Sequence, residues 1–418
     1  MIRENDLILA QGQYYSTDCY ETQLNNNVLV VGSSGSGKTR SIVSPNILQA
    51  SGSYIISDPK GGLYPKYGKY LESKGYEVQI LDFTRPERST NYNCFKYVHG
   101  EKDILKMAHI LTYSMGASMI NDPFWDEAVE LLLTSLIAYM KDRHTTVVRP
   151  TMSGLLHLVS LCQINEDYSS NQTALDELML AEEKRDPNSF AVKQYKKFRI
   201  AAGKTLKSIL ISLNSKLGKF DYKELNKMMA CDQVDLTSFG RRKKALFVVT
   251  SDTDRSLDGL VNIFFSQAMN ELCHFADEKC KDRRLPVDVR FILDDFATNC
   301  RIEGFPQMIS NIRARGISAM IMIQAEAQLE AGYKADARTI ISNCDTYVYL
   351  GGNDVDTAKS VAMRCNLPYY KILNMPVGTN WIFRRGQTPI NGKNFILEDY
   401  KKERGMAEDA ILLCDVHL

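Results

Sequence analysis

The chain has 418 residues, a length that predicts two or three folding units. Its 51 lysines and arginines against 50 aspartates and glutamates leave a formal charge of +1, so contact with nucleic acid must come from a local patch, not a uniformly basic coat. Hydrophobic residues at 44% and charged ones at 24% exclude a disordered chain.

Met1–Asp6 has mixed charge and no apolar h-region, so no signal peptide is expected. The longest apolar stretch, near Leu131–Met140, is broken by Thr134 and Ser135 and falls short of the ~20 residues that span a bilayer. As it stands the chain is expected to be cytoplasmic. The 10 cysteines are scattered without a Cys-x-x-Cys pair, and reduced thiols fit best. Cys273-His274 with Cys280 is expected to lie on a helix, not to hold a metal.

Along the first ~95 residues, short apolar runs alternate with helical stretches, as in parallel α/β units. Val28–Val31, Tyr54–Ile56 and Val78–Leu81 are predicted strands. From about Asp103 the period changes. Phe124–Met140 is apolar nearly all round, which predicts a helix buried on most sides. Helices are expected at 153–162, 173–184, 189–200 and 205–217. Strands return at Leu246–Val249, Val289–Leu293, Ala319–Ile323 and Tyr347–Leu350, followed by a hairpin around Trp381–Gly386 and a charged tail. The expected fold is one α/β domain, residues 1–95 and 239–418, with an all-α domain, 96–238, inserted in it.

Gly32-Ser33-Ser34-Gly35-Ser36-Gly37-Lys38-Thr39 matches G-x-x-x-x-G-K-[ST] at every fixed position, between a predicted strand and a predicted helix. Such a loop turns consecutive backbone N–H groups onto phosphate oxygens, and the following helix adds its positive end. Lys38 is expected to reach the β- and γ-phosphates, and the Thr39 hydroxyl to join a Mg²⁺ coordination sphere. The paired Asp294 and Asp295 end an apolar strand: one acid serves the metal while its neighbour orients or deprotonates the attacking water. Asp58 and Asp82 also end strands, where turn formation is the common reason for an acid. Gln324 closes the run 319–323 and could bridge the γ-phosphate and the water; a surface Gln opening the next helix is the competing explanation. Arg313 and Arg315 are candidate arginine fingers toward a neighbouring subunit's nucleotide, against the alternative of a solvated helix face. Asn226-Lys227-Met228-Met229 fails the guanine motif Asn-Lys-x-Asp and no kinase catalytic loop is present, which favours ATP.

In order along the chain, these segments resemble the type IV coupling proteins, the TraG/TraD-type ATPases of conjugation and type IV secretion. The likeness rests on Asn27–Val31 running into the P-loop, on Ser57-Asp58-Pro59-Lys60-Gly61, and on Phe124-Trp125. It continues through Phe291–Ala297, Ile312–Ser318, Ile323-Gln324 with Gln328-Leu329, and Asn343–Thr346 leading to Leu350–Gly352. It spans about Asn5 to beyond Arg385. The resemblance implies a RecA-like P-loop motor domain with a mainly parallel central sheet and an inserted all-α domain. It also implies a ring, usually hexameric, at the inner face of a bacterial membrane. Such rings pass DNA, commonly single-stranded and led by a relaxase, toward a secretion channel. By position, the loop Gly32–Thr39 with Arg40, Asp58 and Lys60 would hold ATP. Thr39 and Asp294 would hold Mg²⁺, Asp295 would face the water, Arg313 would be the trans finger and Gln324 the sensor. Three features depart from the family: Asp295 replaces the usual Glu, Gly62 replaces the Glu of a D-P-K-G-E box, and N-terminal membrane helices are missing. The last implies either a shortened chain or an anchorless member recruited by a membrane partner.

Residues 193–227 carry ten bases, Lys193, Lys196, Lys197, Arg199, Lys204, Lys207, Lys216, Lys219, Lys223 and Lys227, against Asp221 and Glu224. Tyr195, Phe198 and Phe220 are interleaved, which suits phosphate tracking with base stacking, or else a solvated helical face over core aromatics. A second run, Arg241–Lys244, precedes a predicted strand. The expected function is an ATP-hydrolysing coupling protein that moves transfer DNA or a relaxase–DNA complex. Its rivals are a double-stranded DNA pump of the chromosome-segregation type and a non-hydrolysing, nucleotide-gated receptor.

Overall fold

The computed structural model describes residues 1–114, 123–143, 148–162, 172–202, 205–296 and 300–404. Ala297, Lys204 and residues 405–418 of the charged tail, all within stretches singled out from the sequence, lie outside the described residues. Apart from Val78–Ile80, which stay half buried at the sheet's edge, the apolar runs become strands whose side chains are buried on both faces, the condition that parallel strands covered by helices require. Among the described residues eleven strands form: β1 (Asp6–Ala10), β2 (Gln13–Ser16), β3 (Val28–Val31), β4 (Ser53–Asp58), β5 (Glu77–Asp82), β6 (Lys244–Val249), β7 (Val289–Leu293), β8 (Ile317–Ile323), β9 (Thr346–Tyr349), β10 (Thr379–Arg384) and β11 (Ile390–Lys393).

Nine of them make one sheet in the order β11-β10-β9-β3-β8-β7-β4-β6-β5. From β9 to β5 every pairing is parallel, while β10 runs antiparallel to β9 and closes a hairpin with β11. This is a RecA-like arrangement. Val28, Leu29, Val30 and Val31 have no exposed surface, and neither do Phe291, Ile292 and Leu293. Because β8 separates β3 from β7, the carboxyl ends of three neighbouring strands converge on one edge of the sheet, where an α/β fold binds its ligand.

The short β1–β2 hairpin was not legible in the sequence: it is two brief runs, the second polar and only half buried. It is held by Asn46, whose side chain accepts from Ile8 N–H at 3.0 Å and donates to Ile8 O at 2.8 Å, so the strand's free edge is satisfied by a side chain.

The chain divides into two compact units, one of residues 1–84, 235–252 and 268–418, the other of 85–234 and 253–267. In the second unit the helix Pro123–Asp142 is buried along Ala128, Val129, Leu132, Leu133, Leu136 and Ile137, in keeping with its all-round apolar sequence. The helix Phe190–Ala202 packs on it, and Ser135 Oγ donates to Ala191 O at 2.9 Å across the contact. Among the described residues no helix is long and apolar enough to cross a membrane.

Candidate nucleotide site

The loop after β3 is shaped by two glycines for different reasons. A Cβ on Gly32 would lie 2.9 Å from Leu350 Cβ and 2.5 Å from Ser36 Oγ, so this position has no room for a side chain. Gly37 sits at φ +93°, a conformation that L side chains rarely adopt. The helix that follows opens with a π-turn, Thr39–Val43, before continuing as Ser44–Leu48. Pro45 lacks the N–H that would bond Ser41 O and its ring crowds that carbonyl, which accounts for the wider turn.

Lys38 is buried and its Nζ donates to Gly32 O at 2.5 Å and to Ser33 O at 3.1 Å. Burial lowers its pKa from the ordinary lysine value, opposed by the Asp295 and Asp294 carboxylates. Thr39 Oγ1 donates to Asp294 Oδ2 at 3.1 Å, bringing together residues from β3's loop and β7's end. Burial, then the neighbouring Asp295, pushes the Asp294 carboxyl above the usual carboxylate range, opposed by Thr39 and Lys38. Thr39 and Asp294 therefore present two hard oxygen donors side by side, a set that suits Mg²⁺.

Asp295 occupies the left-handed region at φ +50° and its N–H donates to Asp294 Oδ1 at 3.1 Å. Aspartate is among the few residues that tolerate this conformation, so the backbone supplies a reason for Asp in place of the longer Glu. Gln324 stands exposed just past β8, between the ends of β3 and β7, with its N–H bonded to Gln328 Oε1 at 2.7 Å.

The Asp58 carboxylate accepts from the N–H groups of Gly62, Leu63 and Tyr64 at 3.0, 2.8 and 3.3 Å. It thus caps the helix Leu63–Ser73, and burial raises its pKa against those donors. Lys60 is exposed at the end of β4, three strands from β3 and so about 14 Å along the edge. Gly62 adopts φ −91° with open space where a Cβ would be, so neither backbone nor packing demands glycine there.

Residues far along the chain complete the loop's surroundings. Ser33 N–H donates to Gly351 O at 2.9 Å, Asn394 Nδ2 donates to Ser36 O at 3.2 Å, and exposed Arg40 pairs with Glu398. Asn394 and Glu398 escaped the sequence reading, because an Asn and a Glu after a polar hairpin carry no motif.

Arg313 lies at the opposite edge of the sheet. It begins a single 3₁₀ turn, Arg313–Arg315, just before β8, and its Nη2 donates to Cys19 O at 2.9 Å. The seven residues of β8 place it roughly 20 Å from Gln324. It lines a cavity of about 760 Å³ together with Arg284, Asp288 and Arg290. Arg315 is committed elsewhere, bidentate to Asp277 at 2.7 and 2.9 Å, which leaves Arg313 as the better finger candidate.

A family model for the type IV secretory system, conjugative DNA transfer, matches residues 2–365. The chain belongs to this conjugative DNA transfer family. Its fold is similar to that of the bacterial conjugative coupling protein TrwBdeltaN70 in an unbound monoclinic form: TM-score 0.67, 17% identity, 94% of this chain and 91% of that one. The plasmid coupling protein TrwB in complex with ADP and Mg²⁺ is similar at TM-score 0.64 and 16% identity, over 88% of this chain and 85% of that one. VirB4 of Thermoanaerobacter pseudethanolicus follows at TM-score 0.53 and 14% identity, over 93% and 95%. No curated protein matched the chain in the sequence search.

For a conjugative transfer protein the basic segments matter, and the structure reassigns much of them. Tyr195, Phe198 and Phe220 are 6%, 1% and 0% exposed, so they are core residues and offer no ring face to a base. Lys216 is buried, with Nζ 3.0 Å from Asp126 Oδ1 and 2.7 Å from Thr112 O. Lys196 pairs with Glu183, and Arg199 with Asp176 at 3.1 Å. Lys193, Lys219, Lys223 and Lys227 stay exposed. In the second run, Lys244 and Arg242 both pair with Glu77, Arg241 lies over the Phe275 ring and Lys243 over the Tyr76 ring. That run anchors the start of β6.

Proposed function

We propose that the chain is the ATP-driven motor of a conjugative coupling machine, assembling as a ring, hexameric by likeness to its family, that draws transfer DNA or a relaxase–DNA complex toward the secretion channel. The observation that carries this is the Thr39–Asp294 hydrogen bond: it joins the phosphate loop to the acid of a neighbouring strand end, the pairing a Mg²⁺–ATP site needs. The TrwB complex with ADP and Mg²⁺ supports the choice of nucleotide and metal.

In this reading the backbone N–H groups of Gly32–Thr39, including those of Ser34, Gly35 and Ser36, cradle the phosphates. Lys38 exchanges its two loop carbonyls for phosphate oxygens, and Arg40 flanks the loop. Thr39 and Asp294 would hold Mg²⁺, which would supply positive charge against the phosphates. Asp295 orients the attacking water, and Gln324, between the two ends, senses the γ-phosphate. Lys60 and Asp58 shape the edge next to Asp294: Asp58 acts through the helix cap, and Ser57 Oγ donates to Asp294 O at 3.3 Å. At about 20 Å from its own Gln324, Arg313 serves the nucleotide of the adjacent copy.

The inserted helical unit, about residues 96–238, is the proposed docking part for cargo, and the exposed Lys193, Lys219, Lys223 and Lys227 are its candidate phosphate contacts. The proposed place of action is the inner face of the membrane, where a type IV secretion component meets its channel.

Steady-state ATP hydrolysis at high protein concentration, with and without single- and double-stranded DNA and with Lys38→Ala as blank, tests the reading. Turnover that is lost in the blank and raised by single strands is expected. Preferential stimulation by duplex would favour a double-strand pump, and no turnover above the blank would leave a nucleotide-gated receptor.

A further inference from the structure

The family model ends at residue 365, yet the phosphate loop is gripped by a segment beyond it. After β11 the chain passes directly over the loop. Asn394 Nδ2 donates to Ser36 O at 3.2 Å, and a Cβ on Gly37 would meet the same nitrogen at 3.6 Å. Asn394 is itself held twice. Its N–H donates to Gly378 O at 2.8 Å, and its Oδ1 accepts from Nδ2 of fully buried Asn380 on β10 at 3.0 Å. Because Oδ1 takes the Asn380 donor, the amide is oriented with its NH₂ toward the loop. Four residues on, Glu398 pairs with Arg40 just past the loop's threonine, so the segment touches both the loop and the helix it feeds.

A peptide plane turns this grip into a role. The Ser36 carbonyl and the Gly37 N–H belong to one trans peptide and point in opposite directions. Drawing the carbonyl out toward Asn394 turns the Gly37 N–H away from Asn394. Among the described residues no acceptor takes that N–H.

We propose that Asn394, oriented by Asn380, is a positioning residue for phosphate binding: it locks the Ser36–Gly37 peptide so that the Gly37 N–H faces the nucleotide's phosphates. The C-terminal hairpin is thereby a working part of the nucleotide site. The inference rests on the reading of Gly32–Thr39 as a nucleotide loop.

The test is equilibrium binding of Mg²⁺–ADP and of inorganic pyrophosphate by titration calorimetry, with thermal melting of each chain without ligand. Asn394→Ala removes the donor. Asn394→Asp keeps the shape and the acceptor for Asn380 but cannot donate to Ser36. Melting is expected to stay within about 2 °C of the wild type. The Kd for both ligands should rise about five- to tenfold in Asn394→Ala, and further in Asn394→Asp. Loss for pyrophosphate as well as ADP separates phosphate positioning from base recognition. A role in stability alone would lower melting in both variants and leave the Kd of the folded fraction unchanged. That result, or wild-type affinity in both variants, overturns the inference while leaving the nucleotide reading intact. A wild-type chain that binds neither ligand overturns both.

Discussion

The position of Arg313 makes a sharp prediction for the proposed ring. β8 places its backbone roughly 20 Å from the sensor end of the same sheet, farther than an arginine side chain can bridge. Its side chain donates to Cys19 O at 2.9 Å, so Arg313→Ala should cost about 1 kcal/mol of stability and leave the subunit folded. Nucleotide affinity should be nearly unchanged. Turnover should fall by about 10³-fold or more, the usual worth of a finger that meets the transition-state charge. Mixing Arg313→Ala with Lys38→Ala decides where the residue acts. The first variant has an intact loop but no finger; the second has a finger but no working loop. In a head-to-tail ring assembled at random from equal parts, about one quarter of the interfaces pair an intact loop with an intact finger, so about a quarter of wild-type turnover should return. The assay is steady-state hydrolysis against mixing ratio at fixed total protein. A mixture as inactive as its two components, or an Arg313→Ala chain with near wild-type turnover, would refute the assignment.

Further outcomes follow from local geometry. Asp295→Gly relieves a left-handed aspartate and should be as stable as the wild type or up to about 1 kcal/mol more so, while hydrolysis is lost; thermal melting and turnover are read on the same sample. Asp58→Ala removes the acceptor for three N–H groups at the start of Leu63–Ser73 and should cost about 1–2 kcal/mol in denaturant unfolding, with weaker nucleotide binding as a consequence, not a first effect. Gly62→Glu enters open space at an ordinary φ and should shift stability by no more than about 0.5 kcal/mol, so any change in turnover reports the side chain itself. Lys216→Ala strands the buried Asp126 and should destabilise the helical unit by about 3–5 kcal/mol, whereas charge reversal at exposed Lys219, Lys223 and Lys227 should spare stability and reduce the salt dependence of DNA binding.

What the sequence by itself determined is the local alphabet of this protein. The runs at Val28–Val31, Val289–Leu293 and Ala319–Ile323 are apolar enough to be only buried strands, and Gly32–Thr39 carries its own backbone chemistry. Both signals are short-range: burial periodicity and glycine conformation act over a few neighbouring residues. The pairing of Asp294 with Thr39 was also legible, because strand ends in a parallel α/β sheet share one edge.

Tertiary structure alone decided the rest. A lysine such as Lys216 looks like its exposed neighbours until a carboxylate on another helix buries it, and Tyr195 or Phe220 look like stacking platforms until they are seen in the core. Asp58 belongs to a phosphate-adjacent box in sequence, but its carboxylate is spent on a helix cap. Asn394 meets Ser36 only because β10 and β11 fold back over the loop, across 358 residues of chain. Such contacts depend on where separate elements come to rest, and no local pattern of residue types records that.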